Sequence, residues 1–308
     1  MPQRPKLGQN FLVSPTAQAA IADALGDCTH RTVVEIGPGR GAITTLLAPR
    51  ARRLILIELD RDLSARLRSQ FADRPSVEVL QQDILTTDLA TLMQHSAPPH
   101  SPTDAARAVE RGSQSDKLLV VGNLPYYITS DILLHLFRAH AAIDRVVIML
   151  QREVADRLAA HPGTRDYGLL SVTAQLYARV ENLFTLPPEA FSPPPQVHST
   201  VLRLTMAPRF AELEFKDAPA PVPDTHAPRP DRPNPGVPDP GARFLQFLRF
   251  TFAHKRKTLV NNLRSAGYTP AAITSALAAA RIPPQSRTEQ LDLPTLAALF
   301  HALRPPRP

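Results

Sequence analysis

A chain of 308 residues with 43% hydrophobic and 20% charged side chains has room for a main domain and a smaller second one, and is too apolar to be disordered throughout. No apolar run approaches the roughly 18 residues of a membrane span, and Met1-Pro2-Gln3-Arg4-Pro5-Lys6 lacks the apolar core of a secretory signal, so a cytoplasmic protein with no membrane partner is expected. The single cysteine, Cys28, excludes an internal disulfide and a thiolate zinc site, whereas a net charge of +7 fits a polyanionic partner.

Leu7-Gly8-Gln9-Asn10-Phe11-Leu12 precedes any periodic segment and reads either as an ordinary arm or as a flap over a ligand, with Gln9 and Asn10 as polar contacts. Ser14-Pro15 then opens a helix through Ala17, Ile21 and Leu25, with Ser14 as N-cap, Pro15 at the first helical position and Gly26 as the stop. Thr32-Val33-Val34-Glu35-Ile36 is an expected strand, and Gly37-Pro38-Gly39-Arg40-Gly41 links it to a short helix from about Ala42 to Leu47. Glycines at such a turn let backbone approach a bound cofactor and present helix N-terminal amides to it. A second strand, Leu54–Ile57, ends at Glu58, about 20 residues beyond the glycines, where a carboxylate can accept from both hydroxyls of a ribose. Asp60 caps the next helix, and a third strand at Val77–Leu80 ends near Asp83, again a carboxylate at a strand's carboxyl end. The repeated order of strand, ligand-side residue and helix predicts an α/β fold, a doubly wound Rossmann-like sheet that binds an adenosine-containing cofactor.

Two cofactor classes compete at this point. Gly37, Gly39 and Ala42 loosely satisfy the dinucleotide fingerprint of a nicotinamide enzyme. Glu35, Glu58 and Asp83 suit S-adenosylmethionine better, which has no pyrophosphate to cradle but a ribose, an adenine amine and a cationic end to satisfy. No His or Lys is assignable to a hydride site.

Residues 97–116 carry polar and turn signals and read as a surface insertion, with His95 and His100 as solvated loop residues. The buried strand Leu118–Val121 then runs into Gly122-Asn123-Leu124-Pro125-Tyr126-Tyr127 at the sheet's ligand-binding edge, before a helix through Ile132–Phe137 capped by Thr129 or Ser130. Pro125 holds its own φ and biases Leu124 away from the helical region, and Tyr126 is a candidate platform for a flat base. The bland alternative is a proline turn whose tyrosines cover a core edge. Arg145–Leu150 is a fifth strand, helices through Val154–Leu158 and Tyr167–Tyr177 follow, and a strand near Ala178–Phe184 precedes Pro187-Pro188. Phe191-Ser192-Pro193-Pro194-Pro195-Gln196-Val197 is a stiff extended loop whose phenylalanine is either a core plug or the second face of a base sandwich with Tyr126. Thr200–Leu204 closes the sheet as the last strand.

From Pro219 to Pro240 nine of 22 residues are proline, which marks a linker and a domain boundary. Beyond it only helical spacing is found, around a cationic cluster, His254-Lys255-Arg256-Lys257, suited to phosphate contact. The expected division is a catalytic domain over 1–206, a proline-rich linker over 207–241 and a small all-helical domain over 242–308, to which the resemblance given next assigns RNA binding.

Gly8-Gln9-Asn10-Phe11-Leu12, Glu35-Ile36-Gly37-Pro38-Gly39, Ile57-Glu58-Leu59-Asp60, Gln82-Asp83, Asn123-Leu124-Pro125-Tyr126, Phe191 with its prolines and Arg256-Lys257-Thr258-Leu259 together resemble one family, the ribosomal RNA adenine dimethyltransferases of the KsgA/RsmA type. His198 departs from the family pattern, where an acidic or small residue is expected. The resemblance implies a methyltransferase-type sheet with an antiparallel last strand, S-adenosylmethionine as methyl donor, and 16S rRNA in the 30S subunit or its precursor as partner; the sulfonium makes a metal unnecessary, and a monomer is expected. The implied reaction dimethylates the exocyclic amines of two adjacent adenosines in the 3′-terminal hairpin during subunit biogenesis. By the same resemblance Asn10, Leu12, Gly37, Glu58, Asp83 and Asn123 line the cofactor site; Asn123, Leu124, Pro125 and Tyr126 hold the target base, with Phe191 stacking on it; and Lys255, Arg256 and Lys257 contact RNA. The nearest alternative is the related enzyme that methylates one adenine of 23S rRNA and confers antibiotic resistance; Leu124 after Asn123 and the basic carboxyl-terminal helix favour the small-subunit reading. An assembly factor whose binding matters more than its methylation is a further alternative.

Overall fold

The computed structural model describes residues 10–94, 117–209 and 242–303; Gly8, Gln9, His95, His100, the insertion at 97–116 and the proline-rich stretch at 219–240 lie outside the described residues. Nine strands are described: β1 (Phe11–Leu12), β2 (Thr32–Ile36), β3 (Arg53–Glu58), β4 (Val77–Gln81), β5 (Leu118–Asn123), β6 (Ile143–Gln151), β7 (Ala178–Leu186), β8 (Phe191–Ser192) and β9 (Ser199–Met206). Seven form one sheet in the order β4-β3-β2-β5-β6-β9-β7, and β1 pairs with β8 in a separate two-stranded sheet.

The strand sequences explain the sheet's centre. Every residue of β2 is buried, as are Leu54–Glu58 of β3 and Leu118–Gly122 of β5, so near-continuous apolar runs rather than alternating ones mark strands covered on both faces. β2 pairs in parallel with β3 and with β5. Parallel pairing aligns the strands' carboxyl ends along one edge, and the sheet order reverses there between β2 and β5. That edge carries Gly37, Glu58 and Asn123. One core cluster joins Ile21 and Leu25, Leu47, and Leu67 and Phe71 to Val33, Leu56, Val121 and Met149 of the sheet. Full burial of each such side chain contributes roughly 1.5–3 kcal/mol.

Local rules account for the helix starts. Ser14 accepts from Ala17 N with Pro15 behind it, and the carboxylate of Asp60 accepts from Asp62 N and Leu63 N. The helix after the glycines is shorter than expected, Thr44–Leu47, because residues 39–43 stay in a turn. Neither Thr129 nor Ser130 caps the helix Thr129–Arg138; Thr129 lies within it, and its hydroxyl donates back to the carbonyl of Pro125 at 2.9 Å.

Three tertiary features depart from the sequence reading. β9 is the last strand and antiparallel as expected, but it lies between β6 and β7, which makes β7 the edge strand. Phe191 does not sit on a bare loop but in β8, opposite Leu12 of β1. The segment Ala160–Leu176, assigned above to the catalytic domain, belongs to the helical unit with the residues from Pro208 on; the other unit runs to Ala159 and resumes over Tyr177–Ala207. The reason is Tyr167, which is wholly buried in the helical unit, donates its hydroxyl to the Leu291 carbonyl at 3.1 Å and meets Phe252 edge-on at 6.1 Å. An aromatic burial of that size outweighs chain proximity.

The helical unit packs Phe244, Phe247 and Phe300, with Phe300 5.2 and 5.1 Å from the other two rings. Beneath the turn that follows the helix Ala242–Thr251, Asn262 Nδ2 donates to the carbonyls of Thr251 (2.7 Å) and His254 (3.3 Å), and Thr288 Oγ1 donates to Thr251 at 2.6 Å. Among the described residues no helix is long and apolar enough to cross a membrane.

Candidate active site

A cavity of about 420 Å³ opens at the carboxyl edge of the sheet, lined by the ends of β2, β3 and β5, the segment Asn10–Val13, and the turn after β4. Its volume suits a nucleoside-sized ligand. Asn10, Leu12, Gly37, Glu58, Asp83, Asn123, Leu124, Pro125 and Tyr126 all line it, so nine of the residues singled out in the sequence meet in one place.

The glycine turn is shaped by conformations that a side chain resists: Gly37 has φ 63° and Gly39 φ 59°, and a Cβ on Gly39 would come within 3.1 Å of the Phe11 ring. Gly39 N–H donates to one oxygen of Glu58 at 3.0 Å, and Asp60 N–H donates to the other at 3.0 Å. A carboxylate offers about four acceptor positions, so both oxygens retain capacity for a diol. Burial pushes the Glu58 carboxyl up, and the amides of Asp60 and Gly39 pull it back. Asp83 accepts from Leu85 N–H at 2.9 Å and sits on a braced loop: Gln82 Nε2 donates to Thr87 Oγ1, and Thr87 Oγ1 donates to the Asp83 carbonyl, both at 2.8 Å. His135 Nε2 is 2.9 Å from the Thr87 carbonyl; a carbonyl only accepts, so that nitrogen carries the proton. Burial pushes the His135 pKa down, and the bond to Thr87 opposes the shift.

Glu35 is buried behind the glycines and accepts from Thr44 Oγ1 at 2.7 Å. Burial raises its pKa to about 7, with the Thr44 bond opposing and Glu58 adding to the rise. The unfolded chain ionises this group near pH 4.5 while the fold keeps it protonated, so stability is full below about 4.5 and is lost as pH rises toward 7, by roughly 3 kcal/mol. Glu35→Gln is therefore expected to melt higher than the parent at pH 8 and equally at pH 4.5, measured by thermal unfolding without ligand; equal melting at both values would reject the buried acid as the cause.

Asn123 ends β5, and Gly122 before it admits the strand closely against β2, since a Cβ there would lie 2.8 Å from the Ile36 carbonyl. Asn123 Nδ2 donates to the Asn10 carbonyl at 3.0 Å. Because a carbonyl cannot donate, this bond identifies the nitrogen and leaves Oδ1 as the amide's other, accepting end. Leu124 N–H donates to the Met149 carbonyl at 3.0 Å, anchoring the turn to β6. Pro125 acts through backbone shape: its carbonyl is taken by Thr129 Oγ1 and by Ile128 N–H. The Tyr126 hydroxyl lies 2.8 Å from Ser199 Oγ.

Phe191 is the exception among the expected site residues. It is 3% exposed, belongs to the core cluster and does not line the cavity. Its ring packs in the core, as the plug reading expects, and β8 sets it opposite Leu12 of β1. Lys255, Arg256 and Lys257 lie on the exposed turn of the helical unit, where Lys255 Nζ donates to the Arg165 carbonyl. Sequence reasoning missed the Tyr126–Ser199 and His135–Thr87 bonds, whose ends are remote in the chain and carry no periodic signal. It also missed Gln18, which lines the cavity and donates to the Leu12 carbonyl at 3.0 Å.

Residues 2–217 match the family model described as ribosomal RNA adenine dimethylase. The chain belongs to the ribosomal RNA adenine dimethylase family. Relatives of this chain include the ribosomal RNA small subunit methyltransferase A of Acidobacterium capsulatum, 55% identical over 97% of this chain and 91% of the relative. The protein of the same name from Koribacter versatilis is 48% identical over 98% and 95%. Among solved structures, a dimethyladenosine transferase from Plasmodium falciparum superposes with TM-score 0.66 at 19% identity, covering 94% of this chain and 96% of that one. The 23S rRNA methyltransferase ErmE superposes at 0.61 with 23% identity, covering 96% and 99%. Both likenesses establish that this chain has a Rossmann-like fold.

Proposed function

We propose that this chain transfers methyl groups from S-adenosylmethionine to the exocyclic amines of two adjacent adenosines in the 3′-terminal hairpin of 16S rRNA, dimethylating each within the 30S subunit or its precursor. The observation that carries this reading is the Asn123 amide, held by the Asn10 carbonyl at a cavity that also contains the Glu58 and Asp83 carboxylates. The residues present fit the donor: Glu58 for the ribose hydroxyls, Asp83 for the adenine amine, and Asn10, Leu12 and Gly37 around the amino-acid end. The buried Glu35, poised near neutrality, would be drawn to its ionised form by a cation nearby. S-adenosylmethionine supplies a methyl group made electrophilic by its sulfonium.

An adenine amine is a weak nucleophile because its lone pair is delocalised into the ring. Asn123 Oδ1 and the Leu124 carbonyl accept its two N–H bonds, favour a pyramidal nitrogen and aim the lone pair along the transfer line. Positioning of this kind supplies most of the acceleration, and the proton leaves after transfer from a nitrogen that has become acidic. The target must be unstacked to reach the cavity, and Tyr126, braced by Ser199, offers it a face. The exposed turn Lys255–Lys257 is assigned to rRNA phosphates. A monomer acting in the cytoplasm during small-subunit assembly completes the reading.

Transfer of labelled methyl groups to 30S particles lacking the modification, with 50S particles alongside, tests it. Label on 30S alone, mapped to a pair of dimethyladenosines, is the expected result. Label on 50S alone would replace this substrate with the large-subunit one, and no label on either would reduce the protein to a binding role.

A further inference from the structure

Four large hydrophobic side chains stand exposed among the described residues: Val13 (46%), Leu59 (50%), Tyr127 (63%) and Val197 (42%). Single exposed hydrophobics are ordinary. Here three of the four, Val13, Leu59 and Tyr127, line the same cavity. They come from three different segments, following β1, β3 and β5. Because β3 and β5 flank β2, the ends carrying Leu59 and Tyr127 are roughly 10 Å apart. The lip thus offers separate apolar footholds, which suit individual unstacked bases better than a continuous apolar protein face.

Tyr126 and Tyr127 occupy successive positions of one 3₁₀ turn, Tyr126–Ile128, where neighbours project about 120° apart. The hydroxyl of Tyr126 is held by Ser199, while Tyr127 is turned toward solvent. On the same lining, the exposed Arg40 guanidinium sits 4.3 Å over the Phe11 ring, a cation placed beside apolar faces. Alternating aromatic face and cation is the pattern that holds an unstacked single strand. Turning one adenosine into the cavity strips its neighbour of a stacking partner, and that neighbour emerges at the lip.

Resting on the function proposed above, we propose that the lip is a subsite for the nucleotide flanking the target adenosine, with Tyr127 as its stacking face. A purine neighbour is favoured because its face is the larger. This makes Tyr127 a specificity-determining residue for adjacent adenosines.

The test uses full-length protein and 30S particles reconstituted from 16S transcripts carrying adenosine or uridine beside a single target adenosine. With the adenosine neighbour, Tyr127→Ala is expected to raise KM for the particle about tenfold, leaving kcat and S-adenosylmethionine affinity within about twofold. Tyr127→Phe should restore KM, because it keeps the face. The uridine neighbour should raise the parent's KM by a similar factor and add little to that of Tyr127→Ala. An unchanged KM for Tyr127→Ala, or effects of the two changes that simply multiply, would overturn the subsite. If the parent protein labels no particle, the functional reading falls and the subsite with it; if the parent labels normally and only the Tyr127 comparison fails, the functional reading stands.

Discussion

Asn123→Ala is expected to slow methyl transfer by about a thousandfold or more while S-adenosylmethionine affinity changes only a few-fold. Removal of one preorganised polar contact to a developing charge costs on the order of a hundred- to a thousandfold, and here the same change also empties the partner of the Asn10 carbonyl. One end of the amide donates to the Asn10 carbonyl, and the proposed reaction uses the other as acceptor for the target nitrogen. Asn123→Asp separates them: it keeps an acceptor oxygen but sets a carboxylate against the Asn10 carbonyl, so it should also be severely slowed. Single-turnover transfer to 30S particles, with cofactor binding by calorimetry, reads the two effects apart. Turnover by Asn123→Ala equal to the parent's would remove this residue from the chemistry.

Glu58→Ala is expected to weaken S-adenosylmethionine binding by about a hundredfold or more. Hydrogen bonds to a charged group contribute roughly 1.5–3 kcal/mol each, and a ribose presents two hydroxyls to this carboxylate. The substitution acts on the protein as well, because Glu58 ties Gly39 N–H to Asp60 N–H across the mouth of the glycine turn. Glu58→Gln keeps one accepting oxygen and should fall between the two. Calorimetry on the three proteins checks the order, and an undiminished affinity in Glu58→Ala would assign the ribose elsewhere. Binding to 30S particles without cofactor should be the same for all three, since Glu58 is assigned to the cofactor's ribose.

Much of this site is legible from residues that act over a few positions. Ser14 and Asp60 cap the helices they directly precede. Apolar runs locate β2, β3 and β5, and parallel pairing then aligns Gly37, Glu58 and Asn123 along one edge. Even Asp83 follows from its place at the end of β4. In each case the deciding interaction lies within about four residues or within one strand's own burial pattern.

What the chain left open has the opposite character. Phe191 is equally apt as a plug or a platform by composition, and the core cluster it joins is assembled from segments remote in the chain. The segment Ala160–Leu176 has the same helical spacing in either unit, and the pocket formed around Tyr167 by Leu291 and Phe252 decides its allegiance.

Local sequence settles the sheet's parallel half, its cofactor-side glycines and carboxylates, and the family, because hydrophobic period, turn chemistry and capping are properties of neighbouring residues. Tertiary structure alone decided which way the Asn123 amide points, what braces Tyr126 and which aromatic faces are left open. Those depend on partners such as Asn10, 113 residues from Asn123, and Ser199, 73 from Tyr126. A hydrogen bond across such a distance leaves no periodic trace in the chain; it exists only once the strands that carry its two ends have packed.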